Sequence, residues 1–224
     1  MGSDRESLFS RRKAKTAEKL QRRKAIRRRY DKVLIVCEGE KTEPLYFNEL
    51  KDHYELDTAD VKVSGDCGSD PISVVNHGKK LYQQEIDNGE EPFDRVFCVF
   101  DKDQHSTYED ALSKISAMKP YGIFTAVTSV PCFEIWVLMH FNYSTAPFTS
   151  SGKKSSGTRA LEEVKKYWPN YSKGKGGSFQ YLLEHIGRAE ANSKNLITYA
   201  EQNKTDNPTT MIHTLVSYLQ NLKA

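Results

Sequence analysis

Val33-Leu-Ile-Val-Cys37 running into Glu38-Gly39-Glu40, and Val96-Phe-Cys-Val-Phe100 running into Asp101-Lys102-Asp103, are two apolar stretches that each end in acid. Apolar runs without alternation suit parallel strands covered on both faces, and parallel strands require crossover helices between them. In an open α/β sheet the carboxyl ends of such strands meet at a common crevice. Acidic groups far apart in the chain can therefore be brought together there. Three or four carboxylates in one place repel one another unless a divalent cation neutralises them, so the chain reads first as a metal-dependent enzyme.

Outward from these two strands, the pattern alternates. Lys32–Cys37 forms the first strand, and Thr42-Glu43-Pro44 opens a helix to about Tyr54, with Thr42 as N-cap and Pro44 in the first turn. Asp60–Ser64 alternates as a short second strand, and Gly65-Asp66-Cys67-Gly68-Ser69 makes a loop. Asp70-Pro71 starts a helix reaching about Asn88, and Asn88-Gly89 through Pro92 breaks the chain before strand Arg95–Phe100. Thr107–Met118 is a third helix and Tyr121–Thr128 a fourth strand. The order β-α-β-α-β-α-β predicts an α/β fold with a doubly wound sheet of about four mainly parallel strands.

Beyond Ser129 the pattern turns helical. Phe133–Phe141 reads as a short buried helix containing Glu134, and Asn142–Gly157 as a Ser/Thr/Gly-rich loop. Helices follow at Thr158–Trp168, Ser178–Asn203 with a break at Gly187, and Thr209–Leu222. These helices need the sheet to bury their apolar faces, so residues 31–224 read as one catalytic domain with a helical C-terminal third.

The formal net charge of +3 over 224 residues conceals a division. Residues 1–30 hold twelve Lys and Arg against Asp4, Glu6 and Glu18, a net of +9, which leaves the body at −6. Arg11–Arg29 contains good helix formers and neither Pro nor Gly, so a helical arm laid on a nucleic-acid backbone or an acidic partner is expected, a solvated tail being the alternative. Contacts of that kind depend on salt and do not read sequence. Cys37, Cys67, Cys98 and Cys132 show no Cys-x-x-Cys spacing and read as structural thiols. No apolar run approaches the roughly 18 residues of a membrane span and no signal peptide opens the chain, so a cytoplasmic location is expected.

Glu38 sits at a strand end and is followed by Gly39, which lets the backbone turn tightly into the next helix. Asp101 and Asp103, at alternate positions beyond their strand, can point both carboxylates into one crevice. Such a cluster suits Mg2+ or Mn2+ on oxygen ligands, with Glu38 either a ligand or the general acid/base. Lys173, in Tyr171-Ser-Lys-Gly-Lys-Gly-Gly177, is a candidate for neutralising transition-state charge, as are Lys175 and Lys41.

His105 and His140 have no zinc-type spacing and read as structural. The Gly65–Gly68 loop reads as an ordinary crossover, with phosphate contact as the sharper alternative. Gly174-x-Gly-Gly lacks the P-loop pattern. Tyr167, Trp168 and Tyr171 suit either stacking on unpaired bases or a helix-end cluster around Pro169. Asn207-Pro208-Thr209 reads as a helix start. An aspartyl phosphatase is disfavoured, because Glu38 occupies the first strand and the Asp pair comes only on the third.

An apolar strand with Glu-Gly, then a later apolar strand with Asp-x-Asp, resembles the Toprim domain. The stretches Val36-Cys-Glu-Gly-Glu-Lys-Thr-Glu-Pro-Leu-Tyr-Phe47, Ser129-Val-Pro-Cys-Phe-Glu-Ile-Trp-Val-Leu-Met-His-Phe141 and Asn207-Pro-Thr-Thr210 further resemble the RloB family of bacterial defence proteins, over roughly residues 30–222. The resemblance implies a Toprim-like nuclease acting in anti-phage abortive infection, with an ABC- or AAA-type ATPase as partner and a homodimer on activation. Its substrate would be nucleic acid, RNA such as tRNA somewhat favoured over DNA. By position Glu38, Asp101 and Asp103 match the family's acidic residues, and Glu134 falls after the fourth strand, where some Toprim nucleases supply another acidic ligand. The alternative, from another class, is a non-catalytic interaction subunit of an ATPase complex. Primase and topoisomerase activities are disfavoured, since nothing resembles the further domains those enzymes carry.

Overall fold

The computed structural model describes residues 30–56, 61–68, 70–103 and 105–223; the basic arm lies outside them. Residues from Asp31 onward pack as one compact unit. Its frame is a five-stranded sheet: β1 (Val33–Cys37), β2 (Val61–Ser64), β3 (Arg95–Asp101), β4 (Phe124–Val130) and β5 (Thr209–Thr210), in the order β2-β1-β3-β4-β5. The first four pair in parallel, and β5 joins β4 antiparallel through Ser129 opposite Thr210. After β1 the chain moves to one side, and after β3 to the other. The direction of winding thus reverses between β1 and β3, the position where open α/β sheets form their crevice.

Every residue of β1 is buried. On one face Leu34, Val36, Val96, Cys98 and Phe100 pack under α2 (Pro71–Asp87) and α3 (Tyr108–Ala117), whose Val74, Val75, Tyr82 and Ala111 complete that core. Helix α2 lies close because Gly78 faces the sheet; a Cβ there would come within 3.3 Å of Val96 Cγ1. The sheet also meets α1 (Thr42–His53) and, from the C-terminal part, α4 (Glu134–Met139), α7 (Ile186–Asn203) and α8 (Ile212–Gln220), while α5 (Ser156–Tyr167) packs on α4 and α6 (Ser178–Leu182) on α1. Tyr46 of α1 is the hub, with edge contacts at 5.4–6.5 Å to Phe47, Phe133, Trp136 and Phe179. All six side chains of α4 are buried, as the apolar run at Phe133–Phe141 predicts, and α4 packs on α5 and α7.

Three local expectations are corrected. Thr209 and Thr210 form β5 rather than the start of a helix, and α8 begins at Ile212: the Met211 N–H bonds the Thr128 carbonyl at 2.8 Å, so pairing with the sheet edge overrides the helix-start pattern. The C-terminal helix pair breaks at the 3-10 turn Leu183–His185, while Gly187 lies inside α7. Thr42 is not the cap of α1; Lys41 holds that position, and the Thr42 hydroxyl accepts the Gly174 N–H at 3.0 Å. No helix among the described residues is long and apolar enough to cross a membrane.

His140, at the end of α4, is buried against Trp136, with Nδ1 2.9 Å from the Trp136 carbonyl. Burial pushes its imidazole down to about 4. The folded chain therefore keeps His140 neutral while the unfolded chain takes up a proton below about 6.5. Stability carried by this group is complete above pH 6.5 and is lost as pH falls towards 4. Between pH 7 and pH 5 the wild type should lose on the order of 1–2 kcal/mol more stability than His140→Leu, measured by urea unfolding. Equal losses in the two proteins would refute this.

Candidate functional site

The carboxyl ends of β1 and β3 lie side by side. Cys37 pairs with Val99, and the Glu38 N–H bonds the Val99 carbonyl at 2.9 Å, which extends the ladder one residue past the strand. Glu38 Oε2 then accepts the Asp101 N–H at 2.9 Å, and Oε1 lies 3.0 Å from His105 Nε2. The turn after Glu38 depends on two glycines. Gly39 sits at φ +89°, a region side chains avoid. Gly65, at the end of β2, lies so close that a Cβ would stand 2.5 Å from the Gly39 carbonyl and 2.8 Å from Pro44.

Asp101, the last residue of β3, accepts the Phe133 N–H on Oδ2 at 3.1 Å. Asp103 follows at φ +27°, fixed by its N–H on the Pro131 carbonyl at 3.0 Å and by the Ser156 hydroxyl on Oδ1 at 3.0 Å. The segment after β4 and the first turn of α5 thus orient the two aspartates. Glu38, Asp101, Asp103, His105 and Lys173 line one pocket of about 350 Å³, with Cys132 at its wall. Among the described residues no three His, Cys, Asp or Glu side chains are yet drawn tightly enough to hold a metal ion. The three acids share a crevice without forming a closed ligand cage.

Glu134 stands apart from them. It is fully buried at the start of α4, and it does not line the pocket. Its Oε1 accepts the Tyr171 hydroxyl at 3.2 Å, and its Oε2 pairs with Lys173 Nζ at 2.7 Å. This carboxylate is paired with a lysine, at the helix start where the family resemblance implied a further acidic ligand. Lys173 is the cation between two cavities: the acidic pocket and a second one of about 530 Å³ lined by Gly39–Glu43, Gly65, Gly68 and Gly174. Lys41 borders only the second cavity, and Lys175 borders neither. Of the histidines, His105 reaches the site and His140 lies in the helical core.

Sequence reasoning missed Glu43. It lies in the first turn of α1, where an acid reads as a response to the helix dipole, yet it borders the second cavity beside Lys173. Burial first, then the Glu134 charge, push its carboxyl up to about 7. Asp101 is raised well above the ordinary range by burial, then by Glu43, Glu134 and Glu38. Glu38 is raised by burial, against the pull of the Asp101 N–H and His105. Burial works to lower the Lys173 ammonium, but the Glu134 carboxylate overrides it and holds Lys173 above its usual value. A set of raised carboxyls is a site short of positive charge.

Lys173→Met should remove the ammonium that faces Glu134 and destabilise the fold by about 1–3 kcal/mol, the cost of leaving a buried charged acceptor short of a partner. In a double-mutant cycle with Glu134→Gln the second change should recover part of that loss. Additive losses measured by thermal or urea unfolding would show that the two groups do not interact.

The model of the RloB-like protein family matches residues 33–219, from the first residue of β1 to within one residue of the end of α8. No curated protein and no solved structure matches the chain. The matched stretch includes Glu38, Glu43, Asp101, Asp103, Glu134 and Lys173, and the chain belongs to the RloB-like family.

Proposed function

We propose that this chain is a metal-dependent nuclease of the Toprim type, acting as the effector of a bacterial anti-phage system alongside an ABC- or AAA-type ATPase. One observation carries the reading: Glu38, Asp101 and Asp103, from the ends of two neighbouring parallel strands, line a single open pocket together with Lys173. The defence context, the ATPase and the slight preference for RNA such as tRNA over DNA rest on the family resemblance. The acidic pocket and the lysine rest on the chain itself.

The donors fit a hard divalent cation in kind. They are carboxylate oxygens; burial raises both Asp101 and Glu38 towards protonation, with Glu43, Glu134 and Glu38 adding to the first and Asp70 to the second, a state that a bound cation would reverse. Asp101 and Asp103, with Glu38, would hold Mg2+ or Mn2+, and the ion when bound would polarise a phosphate and lower the pKa of water.

The residues of the chain supply the rest. Lys173, steered by Glu134, faces the pocket with an ammonium suited to the charge of a phosphodiester. Glu38 has one oxygen on the Asp101 backbone and the other on His105, so a proton arriving at Glu38 can be shared with the imidazole. The Phe133 N–H and the Ser156 hydroxyl hold the two aspartates towards the crevice in advance of binding, which lowers the cost of ordering them. Glu43, on the other side of Lys173 and pushed up to about 7, is able to carry a proton near neutrality.

Expression of the full chain with its neighbouring ATPase should be toxic and should fragment RNA when Mg2+ or Mn2+ is supplied. Glu38→Ala, Asp101→Ala and Lys173→Met should each lower cleavage by roughly 100-fold or more. Full toxicity and cleavage in both acidic variants would overturn the enzymatic reading and favour a non-catalytic subunit of an ATPase complex.

A further inference from the structure

The stretch Lys165-Lys-Tyr-Trp-Pro-Asn-Tyr-Ser-Lys-Gly-Lys175 spans the last turn of α5 and most of its connection to α6, and carries aromatic side chains between lysines. From Lys165 to Leu183 there are four lysines and no carboxylate, within a body whose net charge is −6. The rings form a layered surface. Trp168 and Tyr181 stack with centroids 4.1 Å apart and planes 16° from parallel, and Tyr167 stacks on Phe141 at 6.0 Å and 5°. Tyr181 is 52 % exposed and Tyr167 42 % exposed. The layer continues inward. Trp168 meets Tyr171 at 5.0 Å, Tyr171 donates its hydroxyl to Glu134, and Glu134 holds Lys173 at the acidic pocket.

A packed cluster that served only to fasten α6 would bury these rings, and α6 has another anchor: the Phe179 N–H bonds Glu49 of α1 at 2.9 Å, and the Gly177 N–H bonds the same carboxylate. Solvent-facing rings beside the exposed Lys165 and Lys175, with Lys166 on Glu163 and Lys173 on Glu134, match the two parts of a single-stranded nucleic acid, its bases and its phosphates.

We infer that Tyr167, Trp168 and Tyr181, with the flanking lysines, form a base-stacking surface that receives unpaired nucleotides of a single strand and leads it towards Lys173. The inference rests on the nuclease reading for its purpose, but binding can be measured without hydrolysis. The substrate class it names is a single strand or a loop with bases free to stack, and a fully paired duplex would offer no such faces.

The test uses the full chain in EDTA, with fluorescence anisotropy of a labelled uridine oligomer of roughly 12 nucleotides and an abasic oligomer of the same length. Any contact of basic residues with phosphate is common to both probes, so the difference between them reports base contact. Wild type should bind the uridine oligomer more tightly than the abasic one. Tyr167→Leu and Tyr181→Leu, which keep apolar bulk, should each weaken uridine-oligomer binding by roughly 5- to 100-fold and leave abasic binding unchanged, while the Phe variants should stay near wild type.

Asp101→Ala should keep base-dependent binding while losing cleavage; a wild type that binds bases but cleaves nothing in Mg2+ or Mn2+ would sink hydrolysis and leave this surface standing. Equal affinity of wild type for both probes would overturn the inference. So would Leu variants that bind the uridine oligomer as tightly as wild type, the result expected of a patch built to meet another protein.

Discussion

The hydrogen bond from the Asp101 backbone to the Glu38 carboxylate ties together the ends of two parallel strands, and the site is organised around it. It exists because β1 and β3 are direct neighbours in register, with Cys37 opposite Val99. That adjacency follows in turn from where the chain reverses its winding. An antiparallel arrangement of the same strands would send Glu38 and Asp101 to opposite ends of the sheet. Every later feature adds to this contact. Gly39 and Gly65 allow the turn after Glu38, Phe133 and Ser156 orient the aspartates, and Lys173 brings the positive charge.

The electrostatics follow from the geometry. Burial raises Glu38, Glu43 and Asp101, and neighbouring acids, Glu134 among them for the last two, add to it; among the described residues the ammoniums lining the two cavities are those of Lys173 and, in the second, Lys41. Glu134 is already committed to Lys173. The remaining carboxyls are left with a deficit that protons or a metal cation can fill, and the phosphate chemistry proposed above would call for the cation. Lys173 also links the site to the stacked aromatic surface through Glu134 and Tyr171, so one buried carboxylate serves both catalysis and strand placement in the proposed scheme.

Much of the frame was legible because burial on both faces writes itself as unbroken apolar runs. Val33–Cys37 and Val96–Phe100 could be little else, and the acids after them had to lie at strand ends. The features that escaped depend on contacts distant in sequence. Thr42 looks like a helix cap by local rules, but its hydroxyl is taken by Gly174. β5 is two residues long, too short to have a period, and forms only because β4 offers an edge. Glu43 carries the same signature as any acid in a first helical turn, and only the fold shows that it shares buried space with Asp101. Glu134 and Lys173 each stood out as charged candidates. Their pairing across thirty-nine positions has no mark in the sequence.

In the proposed scheme Glu38, Asp101 and Asp103 act as one cation-binding group. The most direct measurement is Mn2+ titration of the full chain at neutral pH, with free ion followed by electron paramagnetic resonance, for wild type and for Asp101→Asn. Wild type should deplete the free-ion signal with saturation, and Asp101→Asn, which keeps the side chain's size and removes its charge, should lose that saturable uptake. Uptake of the same strength in both proteins, or none in wild type, would contradict the account.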